Sequence, residues 1–128
     1  MSLTVPSALL EQARAGEVSD EDFLRCIESS LPYAWSVISE TAEKLRANGG
    51  PSAINENVPP TEEAWGQLFR LVASDSMRAA VEKHYDVKLA FQNCCKVGLF
   101  SPSATEEYRE FTSARAQVLN QKPELLNC

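Results

Sequence analysis

Two adjacent cysteines, Cys94 and Cys95, and the single histidine, His84, are the residues of this chain best suited to chemistry. A thiolate is a strong nucleophile, and a nearby cation such as an imidazolium or Lys96 helps it to form near neutral pH. A thiol–imidazole pair would suit a small thiol-dependent enzyme or a redox protein. No local signature of a cysteine hydrolase surrounds Cys94, so these three residues are only weak catalytic candidates.

The cysteine spacing does not indicate a metal site. Structural zinc usually takes four ligands in short pairs such as Cys-x-x-Cys, and this chain has no such pair. A chain of 128 residues also buries enough surface to fold without a disulfide framework. We therefore expect no metal, no cofactor and reduced thiols at the four cysteines, which are Cys26, Cys94, Cys95 and Cys128.

Large aromatic side chains offer a second kind of site, a small-molecule pocket inside a helical bundle. Trp35, Trp65 and Phe69 are the weak candidates for its lining. Aromatic residues at helical spacing more often build a core than a cofactor pocket. His84 has the same ambiguity, because it follows Met77 and Val81 at helical spacing and fits a half-buried structural histidine.

The composition favours a protein partner over a nucleic acid or a membrane. The net charge is −6 with a pI of about 4.8, so the surface as a whole repels phosphate groups. No apolar run approaches the ~20 residues that cross a bilayer, and the N-terminal residues do not resemble a signal peptide. We expect a cytoplasmic protein, of the kind common among small bacterial proteins, that binds another protein or a second copy of itself.

Residues 87–100 carry the strongest strand signal, because apolar residues occupy alternate positions. A helix is the competing interpretation, since Lys88, Gln92 and Lys96 would form one polar face. The hairpin is favoured when its loop has three residues, although such loops usually want glycine at the left-handed position and Cys95 is not glycine. That loop predicts three cross-strand pairs, which are Leu89 with Leu99, Phe91 with Val97, and Gln92 with Lys96.

Helix signals dominate the remaining chain. Hydroxyl residues that precede acidic first turns predict N-caps at Ser19, Thr61 and Ser74, and Pro32 divides two helices. Residues 48–60 contain Gly-Gly and Pro-Pro, and we predict a loop with Ile54 and Val58 as its only anchors. A capping box at residues 103–106 predicts one final helix with four residues on a stripe: Tyr108, Phe111, Arg115 and Val118.

These patterns predict a single domain over residues 1–128, a mainly α bundle of five or six helices with a small β-hairpin at 87–100. Nearly every predicted helix has an apolar stripe, and no polar groups converge as they do in an active site. We therefore expect a non-enzymatic accessory or regulatory protein that acts through protein contacts, with homodimerisation one form of that contact. A thiol-dependent protein using Cys94 or Cys95, and a small-molecule-binding bundle, are the alternatives.

Overall fold

The computed structural model of the protein describes residues 3–93 and 95–125. It is mainly α-helical with one small antiparallel sheet, which confirms the predicted fold class. Its helices are α1 (Ser7–Arg14), α2 (Asp20–Ser30), α3 (Pro32–Asn48), α4 (Glu62–Val72), α5 (Asp75–Tyr85), α6 (Thr105–Phe111) and α7 (Ala114–Leu119). Its strands are β1 (Ser52–Asn55), β2 (Lys88–Gln92) and β3 (Lys96–Phe100).

The helix boundaries in the first two thirds of the chain follow from their capping residues. Ser19, Thr61 and Ser74 each accept a hydrogen bond from the backbone N–H three residues later, as predicted. Pro32 opens α3 immediately after α2 ends. Gly49 ends α3 with a φ of 61°, a left-handed conformation that glycine adopts without steric cost.

The hairpin of β2 and β3 has the register that the sequence predicts, with Leu89 opposite Leu99 and Gln92 opposite Lys96. Asn93 begins the three-residue loop with a φ of 52°. Asparagine is one of the few residues other than glycine that tolerate this conformation. The hairpin loop therefore forms without a glycine at position 95, because Asn93 adopts the left-handed conformation.

The prediction of a loop over residues 48–60 is wrong in its first half. Residues Ser52–Asn55 form β1, which pairs antiparallel with β3 and makes β3 the central strand. Ala53 is buried against the main core and Ile54 packs on the opposite side of the sheet. Val58 is not an anchor, since it is 48% exposed.

The predicted final helix is divided into α6 and α7, which makes seven helices among the described residues rather than five or six. α6 ends at Phe111. The hydroxyls of the next two residues, Thr112 and Ser113, donate to the carbonyls of Tyr108 and Glu110, at 2.9 and 2.7 Å. Ser113 then caps α7. The predicted capping box is also wrong, because α6 starts after Ala104 without a side-chain cap.

The predicted stripe on the final helix changes with that division. Tyr108 and Phe111 pack against the sheet, whereas Val118 on α7 is 71% exposed. Arg115 forms an ion pair with Glu110 at 2.8 Å on the surface. Only the part of the stripe on α6 is therefore apolar packing.

The sheet separates two apolar clusters. The larger cluster lies between the sheet and α2–α5 and includes Leu31, Ile38 and Leu68. The smaller cluster lies under α6 and consists of Ala90, Phe100 and Ala104 with partly buried neighbours. This arrangement leaves β2 at one edge of the sheet, between α4–α5 on one side and α6 on the other.

Candidate functional site

The Cys95 thiol is packed into the protein like a small apolar side chain. Its residue is 2% exposed, and its Sγ lies 3.6 Å from the main-chain carbonyl oxygen of Glu56, to which the thiol donates. Burial raises the pKa of the Cys95 thiol above its ordinary value, so burial disfavours the thiolate. Cys94 lies outside the described residues.

Lys96 binds a carboxylate, and burial outweighs the lowering effect of its charge on the pKa of the Cys95 thiol. Its Nζ lies 2.9 Å from Oε1 of Glu56 and 3.0 Å from Oδ1 of Asn120. The hydrogen bond from Lys96 is the main cause that lowers the pKa of Glu56. These contacts fasten the segment after β1 and the end of α7 to the hairpin, which is a structural role.

His84 has aromatic neighbours rather than a thiol. It lies in the last turn of α5, where its ring centroid is 4.6 Å from that of Tyr85 and 6.2 Å from that of Trp35. The side chain is exposed, so the expected half-buried histidine is wrong, whereas Met77 and Val81 on the same helix are buried. Among the described residues, the ring contacts of His84 are with Trp35 and Tyr85 and not with Cys95.

The three predicted pocket residues do not meet in one cavity. Trp35 closes a concavity of about 520 Å³ between α2 and α5, together with Leu24 and His84. Phe69 lines a different cavity, beside β2, and Trp65 packs against Phe69 in a tilted arrangement with ring centroids 5.5 Å apart. The aromatic candidates are thus split between two surfaces of the protein.

The larger of these cavities, about 770 Å³, runs along the outer edge of β2. We call it the β2 groove. One wall comes from α4 and α5 and includes Phe69 and Val72, while Tyr108 and Thr112 of α6 form the other wall. The floor is the main chain and side chains of residues 88–92.

The edge of β2 points its polar backbone groups into this groove. The N–H of Leu89 donates to Oε2 of Glu82 at 2.8 Å, so this group faces away from β3. Outward and inward N–H groups alternate along an antiparallel edge strand, which gives Phe91 the same direction as Leu89. Among the described strands, none pairs with this edge.

The walls of the groove are held in place by specific contacts. Gln92 is buried, and its Nε2 donates to the carbonyl of Phe111 at 2.9 Å, which attaches the end of α6 to β2. Phe91 meets Phe69 edge to face with ring centroids 5.8 Å apart. Lys88 places its Nζ 4.8 Å from the centroid of the Tyr108 ring. The groove is therefore bounded by packed elements on both sides.

Positive charge gathers around β2, in contrast to the chain as a whole. Arg78 and Lys88 line the groove, and Arg109 lies beside Lys88 in the adjoining concavity of α6. Among the described residues that line the groove, Glu82 is the one carboxylate. The acidic side chains of α6, by contrast, line a separate cavity next to β1: Glu106, Glu107 and Glu110.

Sequence reasoning missed the β2 groove and the role of Glu82. The alternation of β2 and β3 predicts a hairpin with two outer edges, but it does not show which of the two edges a third strand covers. No sequence pattern indicated the role of Glu82, because its contact with Leu89 depends on how the end of α5 turns back onto the strand.

The described part of the chain contains no group of three or more His, Cys, Asp and Glu side chains arranged to hold a metal ion. None of its helices is both long and apolar enough to span a membrane. Neither a curated protein nor a solved structure matches this chain. A family model described as NucS shadow ORF matches residues 1–128. The chain therefore belongs to the NucS shadow ORF family.

Proposed function

We propose that this protein is a non-enzymatic accessory or regulatory protein of the cytoplasm that binds a partner protein through the edge of β2. In this mechanism, known as β-augmentation, an extended segment of the partner adds a strand to an open sheet edge. The main-chain hydrogen bonds provide affinity and the flanking pockets select side chains. The observation that supports the proposal is the outward N–H of Leu89 in the β2 groove.

The shape of the groove favours a single extended segment over a second copy of the chain. The edge of β2 lies between the wall of Phe69 and Val72 and the wall of Tyr108 and Thr112. A second β2 strand would bring its own two walls into the same space. A partner segment without neighbouring structure meets no such conflict, so self-association is the less favoured form of the proposal.

A selection from a phage-displayed library of random dodecapeptides tests this function on the full-length protein. The key pair of variants is Phe91→Pro and Phe91→Ala. Both remove the ring that packs on Phe69, but only proline removes the outward N–H, and proline is tolerated where that group faces away from the sheet. The alanine variant is therefore the matched control.

We expect selected peptides to bind Phe91→Pro about tenfold more weakly than Phe91→Ala, the effect of one main-chain hydrogen bond left unmade. Fluorescence anisotropy measures both affinities, and amide hydrogen exchange of residues 88–92 should slow when the peptide binds. Equal affinities for the two variants, or no peptide whose binding depends on position 91, would contradict the proposal.

The Trp35 concavity is the observation that favours the small-molecule alternative. Leu24 and Ala80 provide apolar walls, and Trp35 forms the end of the concavity. A thermal-shift screen of the wild type and of Trp35→Ala tests this second candidate. A ligand that stabilises the wild type but not the variant would favour it over the β2 groove.

A further inference from the structure

We infer that the partner segment of the β2 groove is acidic, and that Glu82 competes with it for the edge of the strand. This inference rests on the proposed function and specifies the chemistry of the partner. It combines two observations, the distribution of charge around β2 and the hydrogen bond between Glu82 and the Leu89 N–H.

The charge around β2 is complementary to carboxylates. Arg78, Lys88 and Arg109 provide three cationic groups around the strand, while Glu82 is the only acidic group in the part of the groove lining that the structure describes. Arg78 is paired with Asp75 and donates to the Val72 carbonyl at 3.0 Å, so Lys88 and Arg109 are the cationic groups without an ion pair among the described residues. In a chain with a net charge of −6, this local excess of positive charge steers acidic segments towards β2 and basic ones elsewhere.

Among these cationic groups, Lys88 has the most direct access to an added strand. It stands at the start of β2 with an exposed side chain, and its Nζ rests over the Tyr108 ring on the α6 wall. No ion pair engages Lys88 among the described residues, so its ammonium can meet a carboxylate of the incoming strand. Such a carboxylate would stand on the α6 side of the added strand.

Glu82 occupies the position that a partner carbonyl must take. Its Oε2 accepts the Leu89 N–H at 2.8 Å, as the carbonyl of a neighbouring strand would. A partner strand has to displace this carboxylate, and the displaced charge then lies beside an acidic segment. Glu82 thus weakens binding in two ways, by competing for the N–H and by repelling the partner.

The test uses peptides from the same dodecapeptide selection and three single variants of the full-length protein. Glu82→Gln keeps the shape of the side chain but makes its hydrogen bond neutral, and a neutral acceptor is weaker. Lys88→Gln removes the proposed contact. Lys44→Gln is the matched control, because Lys44 lies at the other edge of the sheet, where its Nζ is 3.5 Å from the carbonyl of Ile54.

We expect the selected peptides to be enriched in Asp and Glu, and their affinity to fall as ionic strength rises. Glu82→Gln should bind them about threefold to tenfold more tightly, and Lys88→Gln more weakly by a similar factor. Lys44→Gln should bind as the wild type does. Urea unfolding of each variant shows that the fold is intact.

The outcomes separate this inference from the proposed function. Neutral or basic peptides that still require the N–H at position 91 would overturn the acidic partner and leave the strand edge as the binding site. A dimer that light scattering detects and that Phe91→Pro dissociates would make a second copy the occupant and would also overturn it. Unchanged affinity in Glu82→Gln would remove the competing role of Glu82.

Discussion

Gly98 in the middle of β3 gives the sharpest prediction about the fold. A Cβ at this position would lie 2.7 Å from Cε1 and 3.0 Å from Cζ of Phe100, and 3.1 Å from Cδ1 of Ile54. Real Cβ atoms do not approach ring carbons this closely, so Phe100 must move. The Phe100 ring is 1% exposed and is held between Tyr108 and Phe111, with centroids at 5.5 and 5.2 Å. We therefore expect Gly98→Ala to disturb the whole cluster under α6.

The size of the effect follows from two opposing contributions. Overpacking a tight interior costs about 1–3 kcal/mol, and the ring contacts place Gly98→Ala near the upper end. Alanine also reduces the freedom of the unfolded chain relative to glycine, which returns roughly 0.5–1 kcal/mol. We expect a net loss of about 2 kcal/mol in the free energy of unfolding, measured by urea denaturation.

Two controls decide whether the Phe100 ring is the cause. Gly50→Ala places its Cβ 3.2 Å from Oδ1 of the exposed Asn48 side chain, which accepts the Gly50 N–H at 2.8 Å. Because that side chain moves at the cost of only this surface hydrogen bond, the free energy of unfolding should fall by less than about 1 kcal/mol. Phe100→Leu removes the clashing ring carbons, and Gly98→Ala should then cost at least about 1 kcal/mol less than in the wild type. Additive effects in this double-mutant cycle, or a Gly98→Ala protein as stable as the wild type, would refute the reasoning.

Three further predictions concern groups near the hairpin. The pKa of Glu56 is lower in the folded state than its ordinary value of 4.5. Ionised Glu56 therefore stabilises the folded protein above pH 4.5, and this contribution is lost as the pH falls through the folded pKa. Urea titrations of Glu56→Gln should lack that acid-dependent loss. Cys95 in a Cys94→Ser background should react with iodoacetamide far more slowly when folded than in urea, and equal rates would contradict its burial. Gln92→Ala should lower the free energy of unfolding by about 1 kcal/mol and speed amide exchange in α6, because the partly buried carbonyl of Phe111 loses its donor.

The sequence predicts the parts of this fold that local patterns control. The register of β2 and β3 followed from alternation, because the three-residue loop pairs apolar residues on one face and pairs Gln92 with Lys96 on the other. β1 could not be predicted, since Ser52–Asn55 has little alternation and becomes a strand only by pairing with β3, more than forty residues away. The short length of α6 was also hidden, as it depends on where Thr112 and Ser113 direct their hydroxyls.

The candidate site shows the same division between local and non-local information. The functional hypotheses concerned the residues with the most reactive side chains, yet Cys95 is buried and His84 packs with Trp35. The groove is built from main-chain groups and ordinary side chains, and its existence depends on the order of three strands. Patterns of residue type do not reveal which strand of a hairpin stays at an edge.

The two edges of the sheet differ in a way that bears on function. An unpaired edge invites aggregation, and charged side chains placed on it are a common protection. The β1 edge has Lys44 beside the Ile54 carbonyl, and the β2 edge has Glu82 on the Leu89 N–H. Glu82 covers only one end of its strand, however, and the walls of α4–α5 and α6 restrict what can reach Phe91. An edge that excludes other sheets but admits one extended chain needs no further protection against aggregation. A strand-binding groove must both exclude sheets and admit a single chain.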